Sequence, residues 1–144
     1  MDAKVDEHFR LEAADDVEGV LASLSDDVEH DVVGWPAGVS RGRGAARAFY
    51  EAMFRDLADS QVETLRRLHG PGFVVDESLW RGRAAGQPFG LQGGNRPLEF
   101  RLLHVLEFND RGEIRRENVW LDFAAIAAQL PQGANAAKPP SKHP

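Results

Sequence analysis

The sequence predicts an α+β domain, with helices packed on one face of an antiparallel sheet. Two observations carry this. Apolar residues recur at helical spacing through the first third of the chain and at strand spacing through most of the remainder. A turn sequence, Asn109-Asp110-Arg111-Gly112, joins the last two strand-like runs as a hairpin.

The elements follow in order. Val5, Phe9 and Ala13 form the stripe of a first short helix. Asp15 or Asp16 caps a second, whose apolar positions Val17, Val20, Leu21 and Leu24 fall at i, i+3, i+4 and i+7. Glu18 lies three residues after Asp15, as a capping box requires. The period then changes: Val28, His30 and Val32 alternate with Glu29, Asp31 and Val33 as a strand, followed by a loop over 34–44. A third helix starts near Gly44, shows Ala46, Phe49, Tyr50, Met53 and Leu57 on one side, and ends around Asp59. Strands are expected at 60–70, 72–82, 98–108 and 113–122, with a glycine-rich connection at 89–97. FAAIAAQL closes the domain as a short helix with Phe123, Ile126, Ala127 and Leu130 on one side. The domain thus spans 1–130, and residues 131–144, which carry no periodic apolar residue, read as a disordered tail.

The chain has 144 residues, enough for one core and too few for two. It has no cysteine, which excludes disulfides, thiolate zinc, iron–sulfur ligation and a cysteine nucleophile. A net charge of -6 makes nucleic acid a poor partner. The charge is uneven, residues 1–31 holding 11 acids against 2 bases, as a solvated acidic helical surface would. No apolar run is long enough for a membrane span, and the first 16 residues are charged where an export signal is apolar. A cytoplasmic protein is expected.

Known motifs contribute little. GRGAAR at 42–47 lacks the third glycine of a dinucleotide fingerprint, and no serine sits in a nucleophile elbow. The histidines at 8, 30, 69, 104 and 143 include no i, i+4 pair, so no metal site is expected unless folding assembles one. Polar residues on apolar strand faces are more informative. His104 shares a face with Leu98, Phe100, Leu102, Leu106 and Phe108, and His30 lies between Val28 and Val32. Each is either a proton carrier or a core histidine satisfied by one hydrogen bond. Counted from Ile114, Asn118 and Trp120, Asp122 also points inward. It is either a desolvated base or the N-cap of the last helix. Of Asp76 and Glu77, one faces the interior. Trp35, Tyr50, Glu77, Asn118 and Trp120 join His30 as candidate substrate-binding residues. On the opposite face Leu103 and Val105, extended by Val119 and Leu121, form an apolar strip that predicts a homodimer through the back of the sheet.

SRGRGAARAFYEAMF, the glycine-punctuated stretch 73–114 with Gly82, Gly86, Gly90, Arg96 and Pro97, and the ending ENVWLDFAAIAAQL together resemble the SnoaL-like polyketide cyclases of the nuclear transport factor 2-like superfamily. The resemblance covers about residues 5 to 130. It implies a curved antiparallel sheet closed by N-terminal helices into a cone with an apolar pocket, and commonly a dimer through the sheet's back. It further implies acid/base chemistry without metal or cofactor on a small hydrophobic carbonyl compound. Asp122 would deprotonate the carbon between carbonyls, with His104 and Asn118 either bonding the enolate oxygen or orienting the carboxylate. The chain departs from the family pattern at Arg83, Ala84 and Ala85, where many relatives have Thr-His-Thr, and at residues 92–95. Two other readings belong to the same fold. One is an epoxide hydrolase, for which Arg101 lacks a carboxylate two residues on; the other is a non-catalytic binding or dimerisation module.

Overall fold

The computed structural model describes residues 1–35 and 37–130. The tail expected at 131–144 lies outside the described residues. Four α-helices and six strands follow one another as α1 (Asp2–Ala13), α2 (Val17–Ser23), β1 (Leu24–Val32), β2 (Ser40–Arg41), α3 (Gly42–Asp56), β3 (Leu57–Gly70), β4 (Phe73–Ala84), β5 (Arg96–Phe108), β6 (Ile114–Leu121) and α4 (Phe123–Gln129). A single 3-10 turn, Pro88–Gly90, interrupts the β4–β5 connection. The expected α+β class is met, with the helices packed against a curved sheet.

The sheet runs β2-β1-β6-β5-β4-β3. It is mixed rather than wholly antiparallel, because β1 pairs with β6 in parallel while every other pairing is antiparallel. The parallel pair arises because the long path from β1 to β6 brings the last strand back beside the first, a contact that turn chemistry does not encode.

Several boundaries move from their expected places. Asp16, not Asp15, caps α2 by accepting from the Gly19 N–H at 2.9 Å, so Glu18 falls out of capping-box register and pairs with Arg47 instead. Leu24 begins β1 and Leu57 begins β3, so each helix ends one residue before the last position of its apolar stripe. The 109–112 hairpin forms as expected. Gly112 takes φ +73°, which a side chain disfavours, and the Asn109 carboxamide oxygen accepts from the Arg111 and Glu113 N–H groups.

A bulge in β6 reorganises its faces. Glu107 pairs with Arg116 and Phe108 with Ile114, leaving Arg115 as an extra residue. Ile114 is buried, Arg115 and Arg116 are both exposed, and the inward positions become Glu117, Val119 and Leu121. This corrects two expectations at once. Asn118, Trp120 and Asp122 do not face the interior, and Val119 and Leu121 do not extend the outer apolar strip. A one-residue slip exchanges every side chain between faces. The outer strip retains half-buried Leu103 and Val105, with Trp120 43% exposed beside them.

Two apolar clusters fill the fold. One joins α1, α2 and α3 to the sheet through Val5, Phe9, Val20, Leu24, Tyr50 and Leu106; the other lies under α4 around Trp80, Phe100, Leu102 and Ile126. Ile126 and Leu130 bury α4's apolar side, each contributing about 1.5–3 kcal/mol. Gln129 adds direction: its amide donates to the Glu99 carbonyl at 2.7 Å and accepts from the Glu99 N–H at 3.0 Å. At the other end Arg67 ties α1 to the sheet. It bonds fully buried Asp76 at 2.8 Å while reaching Asp6 at 2.8 Å and Asp2 at 3.3 Å.

Candidate active site

The interior has a polar centre built on Glu117, which is 1% exposed. The β6 bulge aims its carboxylate inward, and four elements bring partners to it. Tyr50 on α3 donates its hydroxyl to Oε2 at 2.9 Å. His8 on α1 places Nε2 at 3.2 Å from Oε2. His30 on β1 and His104 on β5 hold their Nε2 atoms 3.9 and 3.7 Å from the same carboxylate. Three imidazoles and a phenol therefore surround one buried anion.

The His8 ring is held at both nitrogens. The Ser23 hydroxyl donates to the Val20 carbonyl at 2.6 Å, so its oxygen is left to accept from His8 Nδ1 at 2.9 Å. Nε2 then faces Glu117 and, at 3.1 Å, Glu12 one turn along α1. Burial alone would lower the His8 pKa, but the charges of Glu117 and Glu12 more than offset it and push it up to about 10. Burial would likewise raise Glu117; the neighbouring His8 reverses this and holds the carboxyl well below its usual range. His30 goes the other way, its pKa lowered chiefly by burial, with Glu117 only partly compensating. Burial, and then the adjacent Glu117 charge, raise Tyr50 well above its usual value. At neutral pH the site thus holds a fixed carboxylate, a neutral phenol and a neutral His30. His104 is 3% exposed, and its Nδ1 has no hydrogen-bond partner among the described residues.

A cavity of about 60 Å³ opens beside this centre. Its polar wall includes Glu12, His30, His104 and Glu117, and its apolar wall includes Phe49, Trp80, Phe100 and Leu102. A second cavity of about 260 Å³, lined by Trp35, Val33, Phe89 and Phe123, shares Val32, Phe89 and Leu121 with the first. Phe89 adopts φ +56°, and its ring packs edge-on against Trp35, Phe100 and Phe123.

Of the residues singled out from sequence, His104, His30 and Tyr50 converge on Glu117, and Trp35 lines the adjoining cavity. Four others lie elsewhere. Asp122 is exposed and caps α4, accepting from the Ala125 N–H at 3.1 Å. Glu77 sits on the outer face, paired with Arg101. Asn118 bonds Asp31 and Arg116 on that same face, and Trp120 stands beside them. Asp76, not Glu77, is the inward member of its pair, fully buried and satisfied by Thr64, Arg67 and Ser78. Arg101 lies outside with Glu77, so the arginine-bridged aspartate pair of the epoxide hydrolase reading does not form around it. Sequence reasoning missed Glu117, His8 and Glu12. The i, i+4 spacing of His8 and Glu12 is the one local signal for this centre, and a carboxylate at that spacing is common on exposed helix faces.

Because Asp122 is a cap, Asp122→Ala is expected to lower stability by about 0.5–2 kcal/mol in chemical denaturation. Ligand affinity of the interior cavity should not change.

A curved six-stranded sheet closed on one face by helices is the nuclear transport factor 2-like, ketosteroid isomerase-like fold. Within that class, the family model of the SnoaL-like polyketide cyclases matches residues 8–130, and the chain belongs to this family. A SnoaL-like protein from Shewanella denitrificans OS-217 is similar in structure, with a TM-score of 0.78 at 12% identity over 89% of this chain and 94% of that one. A protein with a ketosteroid isomerase-like fold from Catenulispora acidiphila DSM 44928, solved with trimethylamine, gives 0.75 at 13% identity over 94% and 97%. An LEH-like epoxide hydrolase of M. tuberculosis gives 0.69 at 20% identity over 89% and 86%. At these identities the likenesses show the fold alone. No curated protein matches the sequence. Among the described residues, no helix is long and apolar enough to cross a membrane.

Proposed function

We propose that the protein is a SnoaL-like enzyme that moves protons on a small hydrophobic carbonyl compound, as in an aldol cyclisation or an isomerisation. One observation carries this reading: His104 and His30 present imidazole nitrogens to a buried, ionised Glu117 on the wall of an otherwise apolar cavity. Glu117 is too weak a base to take the proton itself. Its charge instead stabilises the imidazolium that forms when His104 or His30 takes one, and Tyr50 holds the carboxylate in place. The role first assigned to Asp122 thus passes to groups on β1, β5 and β6. The inner cavity is large enough for the reacting carbonyl end and the outer apolar one for the body of the molecule. Together they reach the lower end of the roughly 300–1,000 Å³ range of small-molecule pockets.

The test is exchange of acidic C–H protons for deuterium in β-dicarbonyl compounds and steroid-like ketones, followed by NMR. The native protein should accelerate exchange, His104→Gln should lose about 10²–10⁴-fold of that acceleration, and Asp122→Asn should keep it. Loss in Asp122→Asn with retention in His104→Gln would overturn the assignment. Ligand-dependent stabilisation with no exchange in any protein would leave a binding module instead.

A further inference from the structure

We propose that His8, Glu12 and Glu117 form a binding site for a first-row divalent transition metal ion, one that the acid/base reading above does not require. The three residues offer ligand atoms that all lie within 4.8 Å of one another. His8 Nε2 stands 3.1 Å from the Glu12 carboxylate and 3.2 Å from that of Glu117. Donors bonded to a metal at about 2.0–2.2 Å are separated by roughly 2.8–3.6 Å, whether the geometry is octahedral or tetrahedral. Both separations from His8 fall in that range, and the two carboxylates, within 4.8 Å of each other, would close on an ion between them.

Three further features favour an ion over a simple ion pair. The Ser23 hydroxyl accepts from His8 Nδ1, which directs the Nε2 lone pair at the carboxylates, as partners behind metal-bound histidines do. Charge is the second. Two carboxylates and an imidazolium leave one net negative charge inside the protein, whereas two carboxylates, a neutral imidazole and a divalent ion sum to zero. Third, Glu12 and Glu117 both line the inner cavity, so a remaining coordination position would face a ligand held there. One imidazole and two carboxylates suit zinc, manganese, cobalt or iron(II) better than magnesium or calcium, which prefer all-oxygen shells.

The test is calorimetric titration of the chelator-treated full chain with Zn²⁺, with Co²⁺ as an absorbance probe and Mg²⁺ and Ca²⁺ as comparisons. Saturable Zn²⁺ binding is expected, with a visible Co²⁺ spectrum carrying a nitrogen-ligand signature. Glu12→Gln, on a partly exposed helix position, should remain folded by circular dichroism and bind Zn²⁺ at least about tenfold more weakly. Ser23→Ala should weaken binding about tenfold, the size typical of lost support behind a ligand. His69→Ala, which alters an exposed histidine beside Asp2, should change nothing. Absence of saturable binding, equal affinity in native and Glu12→Gln proteins, or preference for Mg²⁺ or Ca²⁺ would each overturn the proposal. The proton-exchange experiment, run in chelator, does not depend on an ion, so failure here leaves the acid/base reading to that test.

Discussion

Glu117→Gln is expected to destabilise the metal-free protein by about 3–5 kcal/mol at neutral pH, the range found when one partner of a buried ion pair is removed. The substitution is nearly isosteric and keeps an acceptor for the Tyr50 hydroxyl, so little of the loss would come from packing. It comes from His8, 0% exposed, whose charge is left with Glu12 alone. The pH profile provides the internal check. His8 has an ordinary value near 6.5 unfolded and about 10 folded, so its stabilisation is fully present below pH 6.5 and is lost as pH rises toward 10. Glu117 works from the acid side. Its folded value lies below the ordinary 4.5, so its contribution is present above pH 4.5 and disappears as pH falls further. Denaturant unfolding in chelator from pH 5 to 10 should show the alkaline decline in the native protein and a flatter profile in Glu117→Gln. A loss below about 1 kcal/mol, the scale of exposed pairs, would mean that Glu117 is not the electrostatic centre described above.

Arg67→Met should cost about 1.5–3 kcal/mol, the worth of a hydrogen bond to a charged group, and should loosen α1 in particular. Asp76 is fully buried, and Arg67 is its cationic partner at 2.8 Å; without it the carboxylate keeps only the Thr64 and Ser78 hydroxyls. Arg67 also holds Asp6 and Asp2, so its removal frees the helix that carries His8 and Glu12. A double-mutant cycle with Asp76→Asn separates the two effects. If the Asp76 pair dominates, Arg67→Met becomes nearly neutral in the Asp76→Asn background; an unchanged cost would assign the effect to the helix contacts. Hydrogen exchange across α1 should rise in the single variant, which links this stability term to the order of the site.

Local sequence information was enough wherever the physics is local. The 109–112 turn, the helical stripes of α1 and α3, and the inward alternation of β5 and β1 all appear in the structure, and that alternation is what exposed His104 and His30 as interior histidines. Periodicity failed in β6 because alternation carries a face across a strand only while each residue advances the pleat by one. At Arg115 the count slips, so Asn118, Trp120 and Asp122 turn outward and Glu117 turns in.

The sequence by itself determined the α+β class, the family and two of the interior imidazoles, because each depends on spacing within one segment or on a motif. What only the tertiary structure decided is the centre of the site. Glu117 gathers His8 from α1, His30 from β1, Tyr50 from α3 and His104 from β5, partners up to 109 residues apart in the chain. No local pattern encodes that convergence, since it is set by a single bulge and by the parallel return of β6 beside β1.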